Sequence, residues 1–176
     1  MQCPACSSSS LNPVKLVEGL SARECRRCRG LLIDLLAYRA WAENNPLPSR
    51  VSKLPSTVDE SSKALICPKC SKLMLKFKIS GEHQNRVDVC TNCDTAWLDQ
   101  GEWELLGSLS IQSMLSAILT EPWQRRIREE DIIASQQRRF EDMLGQRDYK
   151  KLMDFKQWIE SHPKKTELER ILCIKQ

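Results

Sequence analysis

The chain has 176 residues, of which 41% are apolar and 28% charged, with a formal net charge of +4. This composition is typical of a folded, soluble protein and argues against a disordered chain. No run of 18 apolar residues occurs, which excludes a transmembrane helix, and the first residues lack the basic and apolar regions of a secretory signal. We therefore expect a cytoplasmic protein without a membrane partner.

Nine cysteines stand out, because eight of them form four Cys-x-x-Cys pairs in two similar sets, with 18 and 19 residues between the pairs. The eight are Cys3, Cys6, Cys25, Cys28, Cys67, Cys70, Cys90 and Cys93. A reducing compartment disfavours disulfides, whereas two such turns brought together supply the four thiolates of a tetrahedral zinc site. We predict two structural Zn²⁺ ions per chain, with iron as the chemical rival.

A β-hairpin is predicted between the two pairs of the second set. Apolar residues alternate with lysines along this stretch, which indicates a half-buried strand. The apolar residues are Leu73, Leu75, Phe77 and Ile79. The lysines are Lys72, Lys76 and Lys78. A turn follows, and "RVDVC" returns the chain. Two cysteine turns joined by a hairpin are the plan of a zinc ribbon.

The pattern repeats, which indicates an internal duplication of about 65 residues. Asp34 lies six residues after Cys28, just as Asp99 lies six residues after Cys93. Asp99 and Glu102 have the spacing of an N-cap and its N3 partner, so we expect a helix to begin at or next to Asp99.

The stretch "CPKC…VDVCTNCDTAWLDQGEWELL" resembles the transcription-factor-IIB-type zinc-ribbon family of small bacterial proteins. The resemblance is close over residues 67–106 and looser over 3–41. It implies metal-ligand positions for the cysteines, packing positions for Trp97 and Leu98, and a helix start at Asp99 with Glu102. It also implies zinc and a role in contacting nucleic acid or protein. The C-terminal segment from "EPWQRRIREED" looks like the helical tail of some bacterial members.

Both copies depart from the family pattern after their last cysteine, where the family has Gly-Gly. Here the sequences are "CRRCRG" and "CTNCDT", and the first copy has "LIDLLA" in place of Trp-Leu-Asp-x-Gly-Glu. A left-handed backbone conformation at this position costs little free energy for Asp94 and more for Arg29.

The predicted fold class is a small zinc-dependent α+β protein: two tandem zinc ribbons, each a β-hairpin plus helix, followed by an α-helical C-terminal region. Residues 1–45 are the first ribbon with its helix, and 65–108 the second with its helix start. Residues 46–64, rich in serine and proline, are predicted to be a linker that lets the ribbons move independently. Residues 109–176 carry helical signals, including Gly145 as a helix stop.

No catalytic site is predicted. A site closed by four cysteines leaves no position for water or substrate, and His83 and His162 have no partner residues that suggest a base. The ninth cysteine, Cys173, lies between apolar residues and is expected to be buried. A thiol-based redox or zinc sensor stays an alternative.

The predicted function is a non-enzymatic, zinc-binding protein-interaction adaptor, with a link to transcription or another nucleic-acid machine, and direct DNA or RNA binding is the other alternative to it. In the zinc-loaded protein, eight thiolates contribute −8 and two Zn²⁺ ions contribute +4, so the formal net charge of +4 falls to zero. No segment of the chain forms the strongly basic stripe that is typical of a nucleic-acid-binding protein. The candidate contact residues are Arg23, Arg26, Arg27, Arg29, Lys72, Lys76, Lys78, Arg125 and Arg126. The arginines near Cys25 and Cys28 also offset the −2 charge of a Zn(Cys)₄ centre. The C-terminal helices suit docking of a protein partner or homodimerisation.

Overall fold

The computed structural model describes residues 1–7, 10–46 and 63–173. The chain divides into two compact units, Met1–Arg128 and Glu129–Gln176. Most of the predicted linker, residues 47–62, lies outside the described residues. No helix within the described ranges is both long and apolar enough to span a bilayer.

The first unit contains one antiparallel sheet of six strands in the order β1-β2-β3-β6-β5-β4. The strands are Leu11–Val17 (β1), Leu20–Cys25 (β2), Leu31–Asp34 (β3), Leu75–Lys78 (β4), Arg86–Cys90 (β5) and Thr95–Leu98 (β6). The first three strands belong to the first cysteine set and the last three to the second. The expectation of independent ribbons is wrong, because β3 pairs with β6 and joins both hairpins into one sheet.

The sheet separates two layers, because residues along β3 and β6 alternate between its faces. Leu31, Ile33, Ala96 and Leu98 belong to the core shared with the helices. Leu32 and Trp97, on the other face, belong to a second cluster that contains the ligand cysteines. The metal-binding turns thus lie on one face of the sheet and the helices on the other.

Helices cover the face of the sheet opposite the metal-binding turns. They are α1 (Leu35–Asn44), α2 (Glu102–Ser108), a 3₁₀ turn (Gln112–Met114) and α3 (Leu115–Ile118). Asp34 caps α1, accepting hydrogen bonds from the amides of Leu36 at 3.1 Å and Ala37 at 3.3 Å. Tyr38 joins α1 to α3, since its hydroxyl accepts from Leu115 N and donates to Gln112 O.

The edge strand β4 differs from its predicted pattern. Leu73 and Leu75 are exposed, and Met74 between them is buried among the cysteines instead. The next helix, α4 (Glu121–Leu144), begins against this edge. There Gln124 bonds both the amide and the carbonyl of Lys78, at 3.1 and 2.9 Å, which satisfies backbone groups that a sheet edge leaves unpaired.

The second unit, Glu129–Gln176, is helical in its described part. It contains the remainder of α4, then α5 (Gln146–Ser161) and α6 (Lys165–Cys173). Gly145 ends α4 as predicted, with φ of 76°. The only buried apolar side chain between residues 129 and 173 is Ile159. Cys173 is exposed, so its predicted burial is wrong, because α6 buries none of its residues.

Candidate metal centres

Each predicted cysteine set converges on one point in the fold. The four Sγ atoms of Cys3, Cys6, Cys25 and Cys28 lie within 4.8 Å of one another. The equivalent atoms of the second set, Cys67, Cys70, Cys90 and Cys93, do the same. In each set, the second cysteine pair begins at the last residue of a strand, since Cys25 ends β2 and Cys90 ends β5.

The sulfur positions fit a tetrahedral ion. Sγ–Sγ distances are 3.5 Å for Cys3–Cys28, 3.6 Å for Cys6–Cys25 and 3.5 Å for Cys70–Cys90. Four thiolates at zinc–sulfur bonds of about 2.3 Å would stand about 3.8 Å apart, so little adjustment is needed. Zinc bound here would be coordinated by four protein ligands and would act structurally.

The four turns share one backbone feature. The residue after each second cysteine has a left-handed backbone: Ser7, Arg29, Ser71 and Asp94, with φ between 50 and 60°. At three of these turns its amide bonds the carbonyl of the first cysteine, at 2.8–3.0 Å. Amides also point at sulfur, as Lys69 N does at Cys67 Sγ (3.4 Å). Even Arg29 adopts the conformation that the family's glycine would supply, and its side chain bonds Glu24 at 2.8 Å.

The thiols differ in the direction in which their pKa values are shifted. Burial raises the pKa of Cys3 and of Cys90. The backbone amide of Lys72 lowers the pKa of Cys70 to about 7. Zinc binds thiolates and displaces their protons, so metal binding to either set is coupled to proton release.

The two centres share one buried cluster. It contains Leu32, Met74 and Trp97 besides cysteines from both sets. Trp97 is completely buried, and a Cβ added at Gly30 would overlap its indole ring. Sequence reasoning assigned Trp97 a packing role but missed Leu32, Met74 and Gly30. The available signal was that Leu32 occupies in the first copy the position that Trp97 occupies in the second.

Ion pairs also connect the copies. Arg39 of α1 makes a bidentate pair with Asp94, at 2.6 and 2.8 Å, and holds the pKa of that carboxyl below its usual range. Lys69, between two ligand cysteines, bonds Asp34 at 3.3 Å. Asp34 therefore caps a helix of the first copy and contacts the metal-binding turn of the second.

The predicted helix start at or next to Asp99 is early by two to three residues, since α2 begins at Glu102 and its N-cap is Gly101. Asp99 accepts the indole N–H of Trp97 at 2.8 Å. Glu102 does perform its half of the predicted capping box, because its carboxylate accepts from Asp99 N at 2.8 Å. Both acids are buried, and Asn85 donates to Glu102 at 3.3 Å.

The candidate contact residues do not form one patch. Lys76 pairs with the buried Asp88 at 2.9 Å, Lys72 bonds Asn92, and Arg126 stacks over the Trp123 ring. The hairpin lysines, which also include Lys78, are thus largely engaged within the sheet region. Within the described ranges, Arg26, Arg27 and Arg125 are exposed cations with no side-chain partner.

Comparison with known proteins agrees with this geometry. Residues 2–44 match the family model described as transcription factor zinc-finger. The match covers 43 of the 176 residues, so it describes the first copy and not the whole chain. The match falls on the copy whose motif resembles the family less closely, and the second Cys₄ cluster, within residues 67–93, is consistent with a second ribbon. No curated protein and no solved structure gives a significant match. Two Cys₄ groups in ribbons of this type support two Zn²⁺ ions per chain.

Proposed function

We propose that this protein is a non-enzymatic, zinc-stabilised adaptor that docks a partner protein through its C-terminal helices. The family match of residues 2–44 favours a partner in transcription or in another nucleic-acid machine. Closure of both metal sites by four cysteines supports a structural role for zinc rather than a catalytic one. A reducing cytoplasm would keep these thiols available for metal.

The observation that carries this proposal is an apolar groove of about 590 Å³ in the unit Glu129–Gln176. Residues from all three of its helices line the groove, and most of them are large and apolar. The exposed apolar residues in the groove are Ile133, Phe140, Leu144, Leu152, Met153, Phe155 and Leu172. A helical unit that buries only Ile159 in its described part has too small a core for stability, and a partner would complete it.

An amphipathic helix of the partner is the occupant that suits this groove. Grooves between helices bind the apolar face of another helix, and a row of apolar residues from three helices offers a matching surface. The groove is also lined by Lys156, Glu160 and Glu169. Their positive and negative charges can contact polar residues that flank the apolar face of the partner's helix. A helix from a second copy of this chain would meet the same requirement, which gives the homodimer predicted from the sequence.

The test compares Phe140→Ser with Ile132→Ser in the full-length, zinc-loaded protein. Both residues are exposed on α4, but only Phe140 lines the groove. Light scattering first determines whether the chain is a dimer. Proteins captured from the native cell are then purified and tested for direct binding at low and high salt.

We expect salt-tolerant binding, to a second copy or to one purified protein, that Phe140→Ser abolishes and Ile132→Ser retains. Loss of the same binding in both variants would contradict the groove as the docking site. A monomer with no partner that binds directly would contradict the adaptor proposal itself.

Direct contact with DNA or RNA is a second candidate, supported by Arg26 and Arg27 in the first ribbon, which are exposed and have no side-chain partner in the part of the chain that the structure describes. Retention on nucleic acid that falls steeply with salt would favour it. Replacing both residues with Gln should then weaken binding, whereas the same change at Arg138 and Arg139 of α4 should not. Weaker zinc retention with unchanged nucleic-acid affinity would instead favour a counter-charge role. Thiol-based sensing is supported only by the half-buried position of one cysteine in each pair.

A further inference from the structure

Both cysteine turns of the second metal centre are bound to the first ribbon. Asp94 directly follows the last cysteine of the set, and its carboxylate accepts two hydrogen bonds from Arg39, at 2.6 and 2.8 Å. The carbonyl of Asp94 also accepts from the amide of Leu35, at 2.9 Å. At the other turn, Lys69 bonds Asp34 at 3.3 Å. The start of α1 therefore contacts both turns that carry the ligands of the second metal.

The equivalent positions of the first metal centre have different chemistry. Ala5 occupies the position of Lys69, and its methyl side chain cannot form an ion pair. Arg29 occupies the position of Asp94, but it bonds Glu24 of its own ribbon, at 2.8 Å. The polar contacts made by α1 therefore hold the turns of the second centre and not those of the first.

Helix α1 is anchored in the core on the helix-bearing face of the sheet. Leu35 and Tyr38 are buried there. The Tyr38 hydroxyl also bonds the carbonyl of Gln112 and the amide of Leu115, at 2.7 and 2.8 Å. The ligand cysteines of the first centre belong to the cluster on the opposite face. The contacts from α1 to the second centre thus depend on a core to which the first centre does not belong.

We propose that α1 positions the turns of the second metal centre, so that this centre retains its metal while the first centre exchanges. A sulfur ligand leaves the metal when its turn opens locally, and a turn that is fixed by additional contacts opens less often. Exposed ion pairs are individually weak, so each one changes the release rate only a few-fold. When zinc is limiting, the first ribbon is the one that loses its ion. This inference does not rest on the adaptor function.

The test follows metal release from each centre of the full-length protein, loaded with ¹¹³Cd at both sites. Cys3→Ser and Cys67→Ser replace equivalent buried ligands of the two centres and assign the two cadmium resonances. EDTA is then added in excess to the wild-type chain, and the NMR spectrum is recorded over time. The decay of each resonance gives the release rate of one centre.

Three variants separate positioning by α1 from a general effect on stability. Arg39→Met removes the bidentate pair with Asp94. Arg128→Met is the matched control, because Arg128 also makes an exposed ion pair, with Glu121 of the same helix. The exchanged variant, Arg39→Asp with Asp94→Arg, restores a pair of opposite charges. Arginine suits the left-handed backbone at position 94, since Arg29 has a φ of 57° at the equivalent position.

We expect the first centre of the wild type to release its metal several-fold faster than the second. Arg39→Met should accelerate release from the second centre about two- to fivefold and leave the first unchanged. The exchanged variant should restore the wild-type rate, and Arg128→Met should not alter it. Equal release from both centres of the wild type, or faster release from the second, would overturn the proposal. Equal acceleration of both centres by Arg39→Met, or no recovery in the exchanged variant, would overturn it as well.

Discussion

Leu32 and Trp97 lie opposite each other in the register of β3 and β6, and each is buried among the ligand cysteines. They are also equivalent positions in the duplicated ribbons, 65 residues apart. On either side of them, Leu31 pairs with Leu98 and Ile33 pairs with Ala96. The offset of 65 residues relates Leu31 to Ala96 and Ile33 to Leu98, so the duplication exchanges one of these pairs with the other. A local two-fold relationship therefore passes through the Leu32–Trp97 pair, and the two metal centres share the core around it.

Replacing Trp97 with Ala should weaken both metal centres, although Trp97 belongs to the second ribbon. The change removes the largest side chain of the shared cluster and should cost about 3–5 kcal/mol of stability. Zinc release to a chromogenic chelator, followed over time, should be faster from both sites. Trp158→Ala is the control, since Trp158 is half-exposed on α5. Unchanged release from the first centre would show that the two sites are independent.

Metal analysis of the purified protein should give two zinc ions per chain and no iron. Cys90→Ser removes one buried ligand of the second centre and disturbs the cluster that both centres share. After substitution with ¹¹³Cd, the wild type should show two NMR resonances. The variant should lose one resonance, and the other should shift. A single metal ion in the wild type would contradict the assignment of two sites, and an unshifted second resonance would contradict their coupling.

Much of the metal site could be predicted from the sequence, because ligand spacing and turn geometry are local properties. The cysteine sets, the second hairpin and the helix stop at Gly145 are of this kind. The β3–β6 pairing could not be predicted, since both strands have only four residues and meet across a long stretch of chain. Short strands carry too few residues for their periodicity to identify a partner.

Asp34 and Asp99 show why equivalent residues can have different roles. Trp97 precedes Asp99 by two residues and donates its indole N–H to Asp99 Oδ1. Leu32 holds the same position before Asp34 and has no N–H to donate from its side chain, and Asp34 caps α1. Equivalent acids in the two copies therefore have different contacts, and α2 begins at Glu102 rather than next to Asp99.

Gly30→Ala should destabilise the protein because the new methyl group would overlap the buried indole of Trp97. Overpacking of this kind costs about 1–3 kcal/mol, and zinc retention should fall with it. Gly145→Ala is the comparison for backbone strain without overlap, since its φ of 76° is costly for alanine but no described residue lies within 4 Å of the added methyl group. Urea unfolding measures the loss of stability in both zinc-loaded variants, and zinc retention, which should fall only in Gly30→Ala, separates the overlap from the strain. If Gly145→Ala loses zinc more readily than Gly30→Ala, the overlap with Trp97 does not determine zinc retention.

Tyr38→Phe should destabilise the first unit by about 1–3 kcal/mol, because it leaves the amide of Leu115 and the carbonyl of Gln112 without their buried partner. Burial raises the pKa of Tyr38 to about 12, above the value of about 10 expected in the unfolded chain. The neutral hydroxyl therefore stabilises the fold fully below about pH 10, and this contribution is lost as the pH rises towards 12.

Urea unfolding at pH 8 and at pH 11 should accordingly show a larger loss of stability in the wild type than in Tyr38→Phe. Other groups that titrate over this range are common to both proteins and cancel in the comparison. Tyr149→Phe serves as the control, because the hydroxyl of Tyr149 has no hydrogen-bond partner within the described ranges. An equal loss of stability in wild type and Tyr38→Phe would mean that the Tyr38 hydroxyl does not govern the alkaline limit of the fold.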